Sequence, residues 1–217
     1  MQGIWTMGEL LVEIMRPEPD KPLFEPGSFL GPFPSGAPAI FIDTVARLGH
    51  PAGIVGGVGN DDFGRCILNR LERDGVDCSL VTRFDRGTTA VAFVTYFGDG
   101  SRKFIYHFND TPAVWARQPR DRGPGGAFFH IMGCSLMPNP DFRAEILKTA
   151  RTLRQGGTRV SFDPNVRPEL MEESNMKALL DEVLGISSVL LPGEAELEIL
   201  TGSRDDAGVT GLFNRYD

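Results

Sequence analysis

Cysteine is scarce in this chain and follows no pattern. Cys66, Cys78 and Cys134 stand singly, with no metal-ligand spacing among them. That argues against a thiolate metal centre and suits a reducing, cytoplasmic setting. No apolar run is long enough to span a bilayer, and the opening MQGIWTMGELLVEIM carries Glu9 and Glu13 where a secretory leader would be apolar. Neither membrane insertion nor secretion is expected. Positive charge is also in deficit: 22 Lys and Arg against 29 Asp and Glu leave a net charge of −7, so a non-specific grip on nucleic acid is not expected. No Gly-x-x-x-x-Gly-Lys-Ser/Thr stretch occurs, which excludes a P-loop. Gly57-Val58-Gly59 lacks the third glycine of a dinucleotide fingerprint, and Asp61 and Asp62 would repel a pyrophosphate. Internal repeats and low-complexity tracts are missing too.

What remains is the composition of an ordinary globular protein. The 217 residues, 41% hydrophobic and 24% charged, can bury a full core. Short apolar runs over 4–7, 54, 76–82, 127–132, 159–162 and 189–191 read as strands, and amphipathic runs over 62–74, 141–154, 168–184 and 194–200 as helices. This alternation predicts an α/β fold, a doubly wound and mostly parallel sheet with right-handed crossovers. The segment 16–34, rich in proline and glycine, should cross the surface without a helix. Residues 88–108 differ in kind: Val91, Phe93, Thr95 and Phe97 alternate with their neighbours, Gly98-Asp99-Gly100 turns the chain, and Phe104, Tyr106 and Phe108 alternate on the return. That pattern is a β-hairpin, read as part of a small β-lid. His50 and His130 read as structural, His130 within a buried strand.

The chain is organised around residues 35–64. Gly36-Ala37-Pro38 leads into a helix N-terminus, and Ala37, Ile40, Val45 and Leu48 give that helix its apolar face. Gly49 stops it. Gly56, Gly57 and Gly59 follow a short strand, and Asn60 is expected to cap the next helix. In an open parallel sheet, ligands sit outside the carboxyl ends of the strands. Glu9, Glu13, Gly56-Gly57, Asp163 to Arg167 and Gly193 to Glu196 all fall at such ends.

Ser35-Gly36-Ala37-Pro38-Ala39-Ile40, Ala46-Arg47-Leu48-Gly49 and Gly56-Gly57-Val58-Gly59-Asn60-Asp61-Asp62-Phe63-Gly64 resemble, in order and spacing, the first signature of the ribokinase-like (PfkB) family of carbohydrate kinases. Asp163-Pro164-Asn165-Val166-Arg167 is similar to that family's Asp-x-Asn-x-Arg segment, and Glu196 stands where its Asn-x-x-Glu motif has a glutamate. Glu13 in place of an aspartate resembles the branch of 2-keto-3-deoxygluconate kinases and fructokinase-type sugar kinases. The resemblance implies a ribokinase-like sheet with a β-lid, and transfer of the ATP γ-phosphoryl group to a hydroxyl of a sugar or sugar acid with Mg²⁺. It also implies that Glu13, Gly36, Ala37, Thr89, Tyr106, His107 and Arg167 hold the sugar, that Asn165 and Arg167 face phosphates, and that Glu196 faces the metal.

Two positions depart from the family pattern. Ile40 replaces an asparagine and Gly193 another. Asp43, three residues after Ile40 and on the same helix face, is expected to supply the polar contact that Ile40 cannot. The family's catalytic Gly-Ala-Gly-Asp motif does not occur in these residues. Hence the expectation is one α/β domain over 1–217, truncated at its C-terminus and inactive by itself, with lid segments at about 14–34 and 86–110. An apolar outer face on the lid would favour a homodimer. The alternative reading is a degenerate relative that binds a sugar or a partner without catalysis.

Overall fold

The structure is a computed structural model and describes residues 3–118, 124–166 and 176–216. Its central sheet has six strands: β1 (Ile4–Met7), β4 (Ala52–Gly59), β5 (Val76–Phe84), β8 (Phe128–Met132), β9 (Arg159–Asp163) and β10 (Val189–Leu190). Their order is β10-β9-β8-β1-β4-β5, and every neighbouring pair is parallel. The expected doubly wound sheet is therefore present, with β5 at one edge. Period-2 alternation sorts side chains between its faces. Ile54 and Val58 pack toward helices α1 (Ala37–Arg47) and α2 (Asp62–Arg73). Val55, Phe129, Ile131, Val160 and Phe162 face the second core, which includes the short helix α3 (Pro112–Trp115) and helices α4 (Pro140–Gln155) and α5 (Met176–Ile186). The rest of the helix expected over 168–184 lies outside the described residues. Helices α6 (Glu194–Thr201) and α7 (Asp206–Tyr216) follow.

A second sheet forms the lid: β2 (Leu11–Met15), β3 (Leu30–Ser35), β6 (Ala90–Tyr96) and β7 (Arg102–His107), in the order β3-β2-β6-β7. The hairpin expected over 88–108 is β6–β7, antiparallel with Ala92 opposite Tyr106. Within 16–34 there is no helix, but its end is strand β3. Glu13 lies inside β2, paired with Phe33 on one side and Ala92 on the other.

Two local expectations need correction. Ile40 and Leu48 are not on the buried face of α1: they are 55% and 72% exposed, whereas Ala39, Ile42 and Val45 are buried. The cap of α2 is Asp61, not Asn60. Its Oδ1 accepts from the Gly64 amide at 2.8 Å, and Asn60 instead donates to Asp85 at 3.0 Å. Asp61 also accepts from the amide and hydroxyl of Thr89, at 2.8 and 2.7 Å. Burial works against its negative charge, but the donors from Gly64, Thr89 and Phe63 outweigh burial and hold the carboxyl below its usual range. Asp61→Ala removes a helix cap and the tie from α2 to β6. A loss of about 2 kcal/mol is expected, readable as a lowered urea midpoint with an unchanged m-value.

Candidate functional site

The carboxyl end of β1, the start of α1 and the inner face of the lid line a half-open cavity of about 170 Å³. The backbone at Gly36 makes this possible. Its φ of 104° suits glycine, and a Cβ there would lie 2.5 Å from the Glu9 carbonyl oxygen. Pro38 sits in the first turn of α1, where its missing N–H costs nothing. Gly36 and Ala37 thus line the cavity floor.

Strand alternation decides which lid residues reach inside. Leu11 and Glu13 of β2, Ala92 and Tyr96 of β6, and Arg102, Phe104 and Tyr106 of β7 share the inner face. Glu13 accepts from the Ser35 hydroxyl at 3.3 Å through one oxygen and from the Tyr96 hydroxyl at 3.3 Å through the other. Burial, followed by the adjacent Glu13 charge, raises the Tyr96 phenol above its ordinary pKa. Both groups leave the Glu13 carboxylate aimed at the cavity, with lone pairs to spare for hydroxyl donors.

Beneath them lies Glu9, 4% exposed. It accepts from Ser135 at 2.5 Å and from the Cys134 thiol at 3.6 Å, and the Ala37 amide also reaches it. Burial raises its pKa, although each of these hydrogen bonds opposes the rise. Glu9 therefore ties β1, α1 and the 3-10 turn Gly133–Leu136 into one floor. It sits at a strand end, a position that sequence reasoning marked but gave no role. Tyr96 and Arg102 were given no place in the site, and Ser35 was read only as part of the signature, because only the β2–β3–β6–β7 pairing brings them beside Glu13.

The turn after β9 sits against this floor. A Cβ on Gly133 would lie 1.9 Å from the Pro164 carbonyl oxygen, so the turns after β8 and β9 touch through backbone. Asn165 adopts φ 37°, its amide donating to Asp163 at 2.9 Å in a side-chain-stabilised turn. Its Oδ1 is buried without a partner among the described residues. Arg167 lies outside the described residues.

Three expected site residues go elsewhere, and a fourth, Glu196, is already engaged by backbone. His107 pairs with Val91 on the outer lid face and packs edge-on against Phe93 at 5.9 Å, because adjacent strand residues point to opposite sides. Thr89 is 3% exposed, and its hydroxyl is shared between Asp61 and the Gly59 amide at 2.9 Å. Asp43 points into the α1–α2 contact, where its carboxylate meets Arg70 at 3.1 Å. Burial is the main cause of its raised pKa, despite Arg70. Glu196 uses both oxygens on backbone: it accepts from Val166 and from Gly193, each at 2.8 Å, the second being the one half of a capping box that a glycine cap allows at α6. Among the described residues no group of three or more His, Cys, Asp or Glu could hold a metal ion, and no helix is long and apolar enough to cross a membrane.

Comparison with known proteins agrees with this architecture. The sequence matches the pfkB family carbohydrate kinase over residues 23–214. It is 30% identical to a fructokinase of Salmonella typhimurium over 216 residues, covering 98% of this chain and 67% of that one. It is 32% identical to fructokinase-2 of Solanum lycopersicum, covering 97% and 66%. The chain thus spans about two thirds of the length of these relatives. A solved structure of a putative ribokinase II from E. coli superposes with a TM-score of 0.90 at 35% identity, covering 99% of this chain and 70% of that one; another structure of that protein, with a TM-score of 0.89, contains ATP and Mg²⁺. A fructokinase from Vibrio cholerae O395 bound to fructose, ADP and calcium superposes with a TM-score of 0.80 at 26% identity, covering 99% and 68%. With this signature, lid and sheet, the chain belongs to the pfkB family of carbohydrate kinases.

Proposed function

We propose that the lid cavity binds the acceptor of an ATP-dependent sugar kinase, which phosphorylates a hydroxyl of a sugar or sugar acid. The observation that carries this reading is Glu13, held by Ser35 and Tyr96 with its carboxylate facing a half-open, partly apolar cleft. A carboxylate accepts from two vicinal hydroxyls, while Phe104 and Tyr106 cover the apolar face of a sugar ring. Gly36 and Ala37 let the ring approach the start of α1. Asn165, on the turn beside this floor, would face phosphates, the role that the family resemblance also gives to Arg167. Mg²⁺ would neutralise charge on the transferred phosphoryl group. The orphaned Asn165 oxygen, and acceptor capacity left on Glu196, fit a cation held through its waters rather than by direct ligation. The 217 residues contain no Gly-Ala-Gly-Asp base, so by themselves they are expected to bind without transferring. Three free cysteines favour the cytoplasm. Leu30 and Ile105, exposed at opposite edges of the lid, favour lid-to-lid pairing of two copies.

Sugar-dependent ADP release by the complete polypeptide, across ketoses, aldoses and keto-sugar acids, tests the kinase reading. No release with any of them overturns it, and binding without turnover would favour the non-catalytic alternative. Glu13→Ala is expected to raise the KM of the accepted sugar at least tenfold, about 1.4 kcal/mol. An unchanged KM would remove Glu13 from the site.

A further inference from the structure

A second half-open cavity, of about 190 Å³, lies between α1 and α2 and shares Ile40 with the lid cavity. Ala39, Ile40, Ile67 and Leu71 make its walls largely apolar. Helical spacing puts Asp43 and Arg47 side by side on α1, at i and i+4, with Arg70 of α2 facing them. Both α1 charges have capacity to spare. Asp43 is 8% exposed; its Oδ2 accepts from Arg70 at 3.1 Å, while Oδ1 has no partner among the described residues. Burial works against its negative charge more than Arg70 supports it, so a second cationic donor would be favourable. Arg70 itself is occupied twice, because its Nε also donates to Asp74 at 2.6 Å. The Arg47 side chain is 62% exposed and approaches Asp74 no closer than 4.0 Å.

We propose that this second cavity binds a small zwitterion with an aliphatic side chain, of the α-amino acid class. Its ammonium donates to Asp43 Oδ1, its carboxylate accepts from the Arg47 guanidinium, and its side chain covers Ile67 and Leu71. Asp43 and Arg47, one helical turn apart, match the short separation of the two charges on such a ligand. A phosphate or other dianion suits the cavity less: Asp43 and Asp74 repel it, and the apolar walls stay uncovered. The site stands independently of the kinase reading.

Calorimetric titration of L-leucine into the wild-type chain tests this, beside 4-methylpentanoate, which lacks the ammonium, and 3-methylbutylamine, which lacks the carboxylate. L-Leucine should bind saturably, and each truncated analogue about tenfold more weakly. Asp43→Asn should weaken L-leucine about tenfold and leave 4-methylpentanoate unmoved. Arg47→Gln should weaken L-leucine to a similar degree and leave 3-methylbutylamine unmoved. Arg47 is exposed, so its variant carries the test should Asp43→Asn impair folding. The proposal is overturned by no saturable binding of L-leucine, by binding of equal strength in the wild type and either folded variant, or by saturable binding of inorganic phosphate in its place.

Discussion

Between pH 7 and pH 4 the protein is expected to lose on the order of 3 kcal/mol more stability than its His130→Asn variant. His130 is fully buried in β8, its ring stacked on Phe41 at 3.8 Å between centroids. Nδ1 meets the Ser161 hydroxyl at 2.9 Å, and Nε2 has no partner. An imidazolium here would carry an unsatisfied N–H and a desolvated charge, so burial lowers its pKa to about 4. The unfolded chain keeps the ordinary value near 6.5. Across that window the unfolded state binds the proton and the folded state does not, so stability falls as pH falls. Glu9 acts in the opposite sense. Its raised pKa means the folded state takes up a proton first, and acidification toward its ordinary value favours folding. Glu9 is common to both proteins, so the difference between their urea-unfolding curves isolates His130. Parallel pH profiles for the two would show that the ring is not the acid-sensitive element.

Gly133→Ala is expected to cost about 3 kcal/mol or more. The new methyl would meet the carbonyl oxygen and carbon of Pro164 at 1.9 and 2.6 Å. Both are backbone atoms, so no rotamer change relieves the contact, and the turns after β8 and β9 must part. That movement also displaces Cys134 and Ser135, which hold Glu9 under the cavity. Stability and sugar affinity should therefore fall together. Gly125→Ala is the control: among the described residues nothing lies within 4 Å of its Cβ, and its stability should change by less than about 0.5 kcal/mol. A Gly133→Ala midpoint no lower than that of the control would contradict the close packing of the two turns.

The sheet and hairpin were legible because each strand and helix carries its own periodicity, and the capping and turn residues are local. The site was legible in part. Gly36 and Ala37 sit where a helix begins, and a helix start shows in sequence. Glu13 was found through resemblance, while its partners Ser35 and Tyr96 arrive through strand pairings 22 and 83 residues away. Asp43 was misassigned for a similar reason: its partner Arg70 lies 27 residues on, across a helix–helix contact. Tyr106 and His107 are different. Alternation alone forbids both from facing one cavity, so that error could have been avoided from sequence. Glu196 carries a capping-box spacing that a glycine at the cap concealed, since Gly193 offers no side chain to complete the familiar pattern.

The most direct test of the central claim is calorimetric binding of a sugar panel to the wild-type chain and to Glu13→Ala. The account predicts saturable binding of at least one sugar by the wild type, weakened tenfold or more in a folded Glu13→Ala. Sugar binding of equal strength in both proteins would contradict a lid cavity built around Glu13, and no saturable binding by the wild type would contradict a sugar site altogether.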